Sequence, residues 1–299
     1  MKRVTATLIL ACLLILPAAF AAAAERPGQA AIASAHFMAT EAGHEILAQG
    51  GNAFDAAIAV AAALAVVEPT SSGIGGGGFW LLHRAEDGFQ VMVDSREKAP
   101  AAAHRDMYLD EDGAVNRDLA INGPLAGGIP GEVAGFEHIA RQYGRLPLSV
   151  SLQPAIRIAR EGFEVDEKFA RLMGWRVDQV RRWPAAAEAF LVDGEAPPVG
   201  HVIRLPDLAW VLEQIAERGA AGFYAGPVAE KIVAGVREAG GVWTLEDLAA
   251  YELVERAPIR TMYGGFELVT APPPSSGGIA LAEILNVLEP YPLDDLDPV

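Results

Sequence analysis

The sequence predicts a single α+β or α/β domain, with strands near both ends of the chain and helices between them. Three observations carry this. Two short apolar runs, Phe79 to Arg84 and Phe89 to Glu97, flank Asp87-Gly88 and read as a β-hairpin. A second extended pair, Ile259 to Tyr263 and Glu267 to Ala271, follows a long middle section with helical periodicity. No stretch has the composition of a linker, and 299 residues of which 52% are hydrophobic can bury one large core or two ordinary ones.

The chain opens with a basic Met1-Lys2-Arg3, an apolar run from Val4 to Leu16, and small residues at A-x-A spacing from Pro17 to Ala24. This is the pattern of a signal peptide over residues 1–24, and it predicts a periplasmic or secreted mature protein beginning near residue 25. The run is too short for a retained span, so no stable membrane insertion is expected. Cys12, the only cysteine, lies inside this segment. After cleavage no thiol remains, which removes disulfides, thiolate nucleophiles and Cys-ligated zinc.

Thr40 to Gln49 reads as an amphipathic helix ending at Gly50-Gly51, and Asn52 as the N-cap of a run from Ala53 to Val67 that is apolar nearly all round. At 1.5 Å per residue that run reaches only about 22 Å, short of a bilayer of roughly 30 Å, so it belongs in a core. Further helices are predicted at Glu132 to Gln142, Val150 to Glu161, Leu208 to Glu217 and Val228 to Ala239. Thr244-Leu245-Glu246-Asp247 opens another with capping-box spacing, and "PPPSSGGIALAEILNVLE" sets a proline and glycine loop directly before a last one.

Gly73-Ile74-Gly75-Gly76-Gly77-Gly78 satisfies G-x-G-x-x-G, yet its order of helix, glycines, strand is the reverse of a dinucleotide site, and no Gly-Lys-Ser or Gly-Lys-Thr follows. The run is expected to let the chain turn sharply from the buried helix into the hairpin that presents Arg96, with close backbone packing or a wall beside a small polar ligand as its other readings. Ser71-Ser72 and Ser275-Ser276 do not fit G-x-S-x-G, and the six histidines have no ligand spacing, so neither a serine triad nor a metal site is predicted. A net charge of −16 without a basic cluster excludes nucleic acid as a partner. Arg96, at the end of the second hairpin strand in "VMVDSREKAP", is the residue singled out for binding. A guanidinium can hold a carboxylate bidentately. An ion pair with Asp94 or Glu97 is the alternative, and spacing leaves the two open.

"TEAGHEILAQGGNAFDAAIAVAAALAVVEPTSSGIGGGGFWLL", "DSREKAPAAAHRDMYLD", "NGPLAGGIPGEVAGF", "YGRLPLSVSLQPAIRIAREGF", "GGVWTLEDLAAYE" and "PPPSSGGIALAEILNVLE" together resemble the large-subunit region of γ-glutamyltransferases, also called glutathione hydrolases, from about Ala31 to the C-terminus. The resemblance implies an α+β fold of the N-terminal-nucleophile hydrolase type, an αββα sandwich present here in part, over residues 25–299. It implies a γ-glutamyl substrate such as glutathione, no cofactor and no metal. It also implies a small-subunit partner whose N-terminal threonine attacks the γ-amide. By resemblance, Arg96 grips the α-carboxylate of the γ-glutamyl group. The T-T/S-H-Y/F-S run that carries the family's nucleophile is absent from these 299 residues, so no catalytic residue is assigned, and the chain alone is expected to be inactive and poorly soluble. A β-lactam side-chain acylase or poly-γ-glutamate depolymerase is the nearest alternative. A non-catalytic, secreted amino-acid-binding fragment is the alternative from another class.

Overall fold

The apolar run from Ala53 to Val67 forms a helix with those bounds and becomes the centre of the core, with nine of its fifteen residues buried. The computed structural model describes residues 30–291. The expected signal peptide, with Cys12, lies outside them, and the compact unit begins at Ala33. The chain runs α1 (Phe37–Ala48), α2 (Ala53–Val67), β1 (Phe79–Arg84), β2 (Phe89–Asp94), α3 (Arg117–Asn122), α4 (Glu132–Gln142), α5 (Leu148–Ser151) and α6 (Gln153–Glu161). It continues through β3 (Phe163–Glu164), α7 (Glu167–Val180), α8 (Pro184–Phe190), β4 (Val202–Ile203), α9 (Pro206–Arg218), α10 (Ala221–Tyr224) and α11 (Pro227–Glu238). It closes with α12 (Leu245–Ala249), β5 (Val254–Arg256), β6 (Ile259–Tyr263), β7 (Phe266–Thr270) and α13 (Gly277–Leu288). The class is α+β: the described residues form three small antiparallel sheets, and the hairpin shares its core with the helices.

Capping chemistry fixes α2. The Asn52 side chain accepts the Phe54 and Asp55 N–H groups, and Asp55 returns the bond to the Asn52 N–H at 2.8 Å. The fully buried Asp55 carboxylate also accepts the N–H groups of Arg145 and Leu146, which ties the loop after α4 to the start of α2. A buried carboxylate is tolerated here because backbone donors surround it. α1, α4 and α6 pack on α2, and α9 packs on α6.

The predicted hairpin forms, with Phe79 opposite Asp94 and Arg84 opposite Phe89. β5 then pairs with β2, setting Met92 opposite Arg256 and Asp94 opposite Val254. That third strand was not predicted, because three residues are too few for a period-2 signal. The helix expected over Val150 to Glu161 is split into α5 and α6 at Leu152, just ahead of Pro154, which cannot donate within a helix. α1 starts earlier than Thr40 because His36 Nδ1 caps it by accepting the Met38 N–H. α7 was missed: only Phe169 and Met173 of its fourteen residues are buried, so its apolar stripe is thin.

Near the C-terminus α13 is apolar but packs on little more than β6, and only Gly278 is buried. Met262, Phe266, Ile284 and Val287 are all more than half exposed. Among the described residues no helix is long and apolar enough to cross a membrane.

Candidate carboxylate-binding site

Arg96 follows directly on β2, and its backbone is held from four sides. Ser95 extends the hairpin by exchanging hydrogen bonds with Gly78, N–H to carbonyl, in both directions. The buried Ser95 hydroxyl donates to the Gly78 carbonyl and accepts from Trp80 Nε1. The Arg96 N–H donates to Asp94 Oδ1 at 3.1 Å, and the Arg96 carbonyl accepts from the Tyr251 hydroxyl at 2.8 Å. Two residues on, Lys98 and Ile129 exchange backbone bonds of 3.1 and 2.7 Å. The Asp94 carboxylate is itself fixed by Arg256 Nε of β5, 2.9 Å away. Arg96 therefore projects from a rigid shelf.

The glycines serve this shelf by close approach. None of Gly73, Gly75, Gly76, Gly77 or Gly78 has positive φ, so a left-handed turn is not their role. A Cβ on Gly77 would collide with the Ser95 carbonyl oxygen and lie 3.0 Å from Arg96 Cα. Gly131 approaches the same carbonyl and also makes room for the Tyr251 hydroxyl.

The Arg96 guanidinium makes the ion pair with Glu97 that the sequence left open, while Asp94 accepts only the Arg96 backbone N–H and pairs with Arg256. The guanidinium Nε donates to Glu97 Oε2 at 3.0 Å, and its carbon stands 5.6 Å from the Phe79 ring centre. No described residue occupies its two Nη groups, and its side chain is 55% exposed. It lines a concavity of about 420 Å³ with Lys98, Tyr108, Ala126 and Gly128 among the other walls. The glycine-walled cleft, about 490 Å³, is a neighbouring concavity lined by Thr70, Ser71, Ser72, Glu97 and Glu132 but not by Arg96. The two share Glu97 as a lining residue.

Glu132 opens α4, and its N–H and that of Gly131 donate to the Gly76 carbonyl. No described residue bonds its carboxyl, and burial, with the Glu97 charge second, pushes its pKa up to about 7. The ring of Tyr251 stacks on Tyr224 at 5.6 Å, and burial, with the nearby Asp94, Glu97 and Glu132 charges, raises its phenol to about 12. Both hydroxyls thus remain neutral donors at physiological pH, and that of Tyr224 donates to the Pro130 carbonyl. Thr70, Ser71 and Ser72 line the glycine cleft, but no described histidine or lysine is bonded to their hydroxyls. The arrangement can hold an anion; a nucleophile with its base is not assembled among these groups.

Sequence reasoning missed Ser95, Glu132, Tyr224 and Tyr251. An acid at the first position of a helix directly after Pro130-Gly131 was a usable signal for Glu132. The tyrosines come from α10 and the turn after α12, and no local pattern reports that.

Residues 39–298 match the family model described as Gamma-glutamyltranspeptidase. The chain is 43% identical over 267 residues to the glutathione hydrolase proenzyme of Escherichia coli (strain K12), covering 89% of this chain and 46% of that protein. Its fold superposes on a gamma-glutamyltranspeptidase from Helicobacter pylori with a TM-score of 0.86 at 40% identity, over 89% of this chain and 76% of that one. For a gamma-glutamyltranspeptidase from Pseudomonas nitroreducens complexed with L-DON, the TM-score is 0.83 at 37% identity, covering 91% and 80%. The chain spans about half the length of the curated relatives it matches. With sequence and fold in agreement over nearly all the described residues, this chain belongs to the gamma-glutamyltranspeptidase family.

Proposed function

We propose that this chain supplies the substrate-gripping half of a glutathione hydrolase, an enzyme that cleaves a γ-glutamyl amide and passes the γ-glutamyl group to water or an amino acid. The observation that carries the proposal is the state of Arg96: backbone fixed on a rigid shelf, Nε engaged by Glu97, both Nη groups open to a concavity. A guanidinium so held presents one fork edge to an incoming α-carboxylate with little conformational freedom left to lose.

The nucleophilic threonine comes from a small subunit, and these 299 residues are inactive without it. The open apolar surface formed by β6, β7 and α13 is the face that subunit covers. The reaction uses neither metal nor cofactor. The mature protein works outside the cytoplasm, as residues 1–24 imply.

Calorimetry with L-glutamate tests the grip. Binding that Arg96→Ala abolishes, and that Arg96→Lys weakens by at least tenfold through loss of the bidentate fork, is the expected result. Co-expression with a family small subunit restores hydrolysis of a γ-glutamyl anilide. Hydrolysis by the 299-residue chain alone refutes the division of labour.

A further inference from the structure

Two carboxylates lean on the same short stretch of the glycine run. Gly76 has Glu97 Oε1 at 3.1 Å from where a Cβ would stand, and Gly78 has Glu132 Oε2 at 3.5 Å from the equivalent point. These backbone positions are at most about 7 Å apart. The Gly76 carbonyl also accepts the Gly131 and Glu132 N–H groups at 2.9 and 3.1 Å, which ties the start of α4 to the glycine loop. Among the described residues only one of the two acids has a side-chain partner: Glu97 receives the Arg96 Nε–H.

We infer that Glu132 is a positioning residue for Arg96, acting through Glu97: neutral, it leaves Glu97 seated over Gly76 and bound to Arg96; ionised, it repels Glu97 and loosens that contact. This deepens the reading of Arg96 as the carboxylate grip and rests on it. The groups facing Glu132 are Glu97 from the shelf, Tyr224 from α10 and Tyr251 from the turn after α12. From α2 the cleft receives Ala61 and Leu64, and from the loop Thr70, Ser71, Ser72 and glycines, none of which titrates in this range. No described cation bonds Glu132 to offset a second negative charge beside Glu97. Its pKa of about 7 puts the change within reach of ordinary pH. A carboxylate ligand feels the same sign: ionised Glu132 adds negative charge near the grip and weakens anion binding.

The test is the Arg96 Nε–H resonance of the ¹⁵N-labelled chain, assigned by its absence in Arg96→Lys and followed from pH 5.5 to 8.5. The wild type is expected to show one inflection near pH 7. Glu132→Gln, nearly isosteric, abolishes the inflection and keeps the low-pH position, whereas Glu97→Gln moves it to lower pH by removing the neighbouring charge. A wild-type resonance without an inflection, or one that persists in Glu132→Gln with unchanged midpoint, overturns the inference. L-Glutamate is then added at pH 6 and 8.5. Binding about three- to tenfold weaker at the higher pH, with the difference erased in Glu132→Gln, supports it. If glutamate leaves the Arg96 resonance unmoved while Glu132→Gln still removes the inflection, the carboxylate-grip reading fails and the positioning relation stands.

Discussion

Replacing Gly77 by alanine drives a methyl group against the Ser95 carbonyl and to within 3.0 Å of Arg96 Cα and 3.1 Å of its carbonyl carbon. These are backbone atoms pinned by the Gly78 pairing and the Tyr251 bond, so no side chain can rotate out of the way. Overpacking of this kind costs about 1–3 kcal/mol. Gly75 is the internal control: two residues away in the same run, without positive φ, it has no atom within 4 Å of an added Cβ. Alanine there only restricts the unfolded chain, a gain of about 0.4–1 kcal/mol. The two variants, identical in chemistry, should therefore differ by about 1.4–4 kcal/mol, read as urea midpoints roughly 0.5 M or more apart. Gly77→Ala should also weaken glutamate binding, because the shelf moves. Equal midpoints for the two variants refute the assignment of the glycine run to close packing behind Arg96.

Glu132→Gln changes the pH dependence of stability. A carboxyl raised from 4.5 to about 7 in the folded state binds more protons folded than unfolded between those values, so stability falls as pH rises through that window. The variant should match the wild type near pH 4.5 and exceed it by on the order of 3 kcal/mol at pH 8, measured by urea unfolding. Asp55→Ala leaves the N–H groups of Arg145 and Leu146 without their acceptor in the buried Asp55 pocket and removes half of the capping box; a loss of about 2–4 kcal/mol in the same assay is expected, and a loss below about 1 kcal/mol contradicts the role given to Asp55. Phe266→Asp, at a residue 75% exposed, should alter stability by no more than about 0.5 kcal/mol yet reduce self-association in sedimentation velocity; unchanged association refutes the reading of that face as open interface.

Local chemistry made several elements legible. Asn52 followed three residues later by Asp55, ahead of an unbroken apolar run, gives α2 its bounds because both the cap and the burial are written in adjacent residues. The turn at Asp87-Gly88 sets the register of β1 on β2 in the same way. Thr244 and Asp247 form the capping box their spacing predicts. β5 and α7 were not legible, since one is too short and the other buries too little to show a period.

At the site the division is similar. The residue types alone nominated Arg96 and a competing ion pair with Asp94 or Glu97, and the ordered motifs pointed to the family. Which atoms of that guanidinium are taken and which are open depended on chain segments far apart in sequence. Tyr251 lies 155 residues from Arg96 and Arg256 lies 162 from Asp94, yet they fix the shelf. The sequence determined a capped core helix, a hairpin and a cation after its second strand, because short-range hydrogen bonds and side-chain periodicity decide those. Only the tertiary structure decided that the glycine cleft and the Arg96 concavity are separate and joined by Glu97, and that burial holds Glu132 near neutrality, because desolvation and long-range packing are properties of the assembled fold.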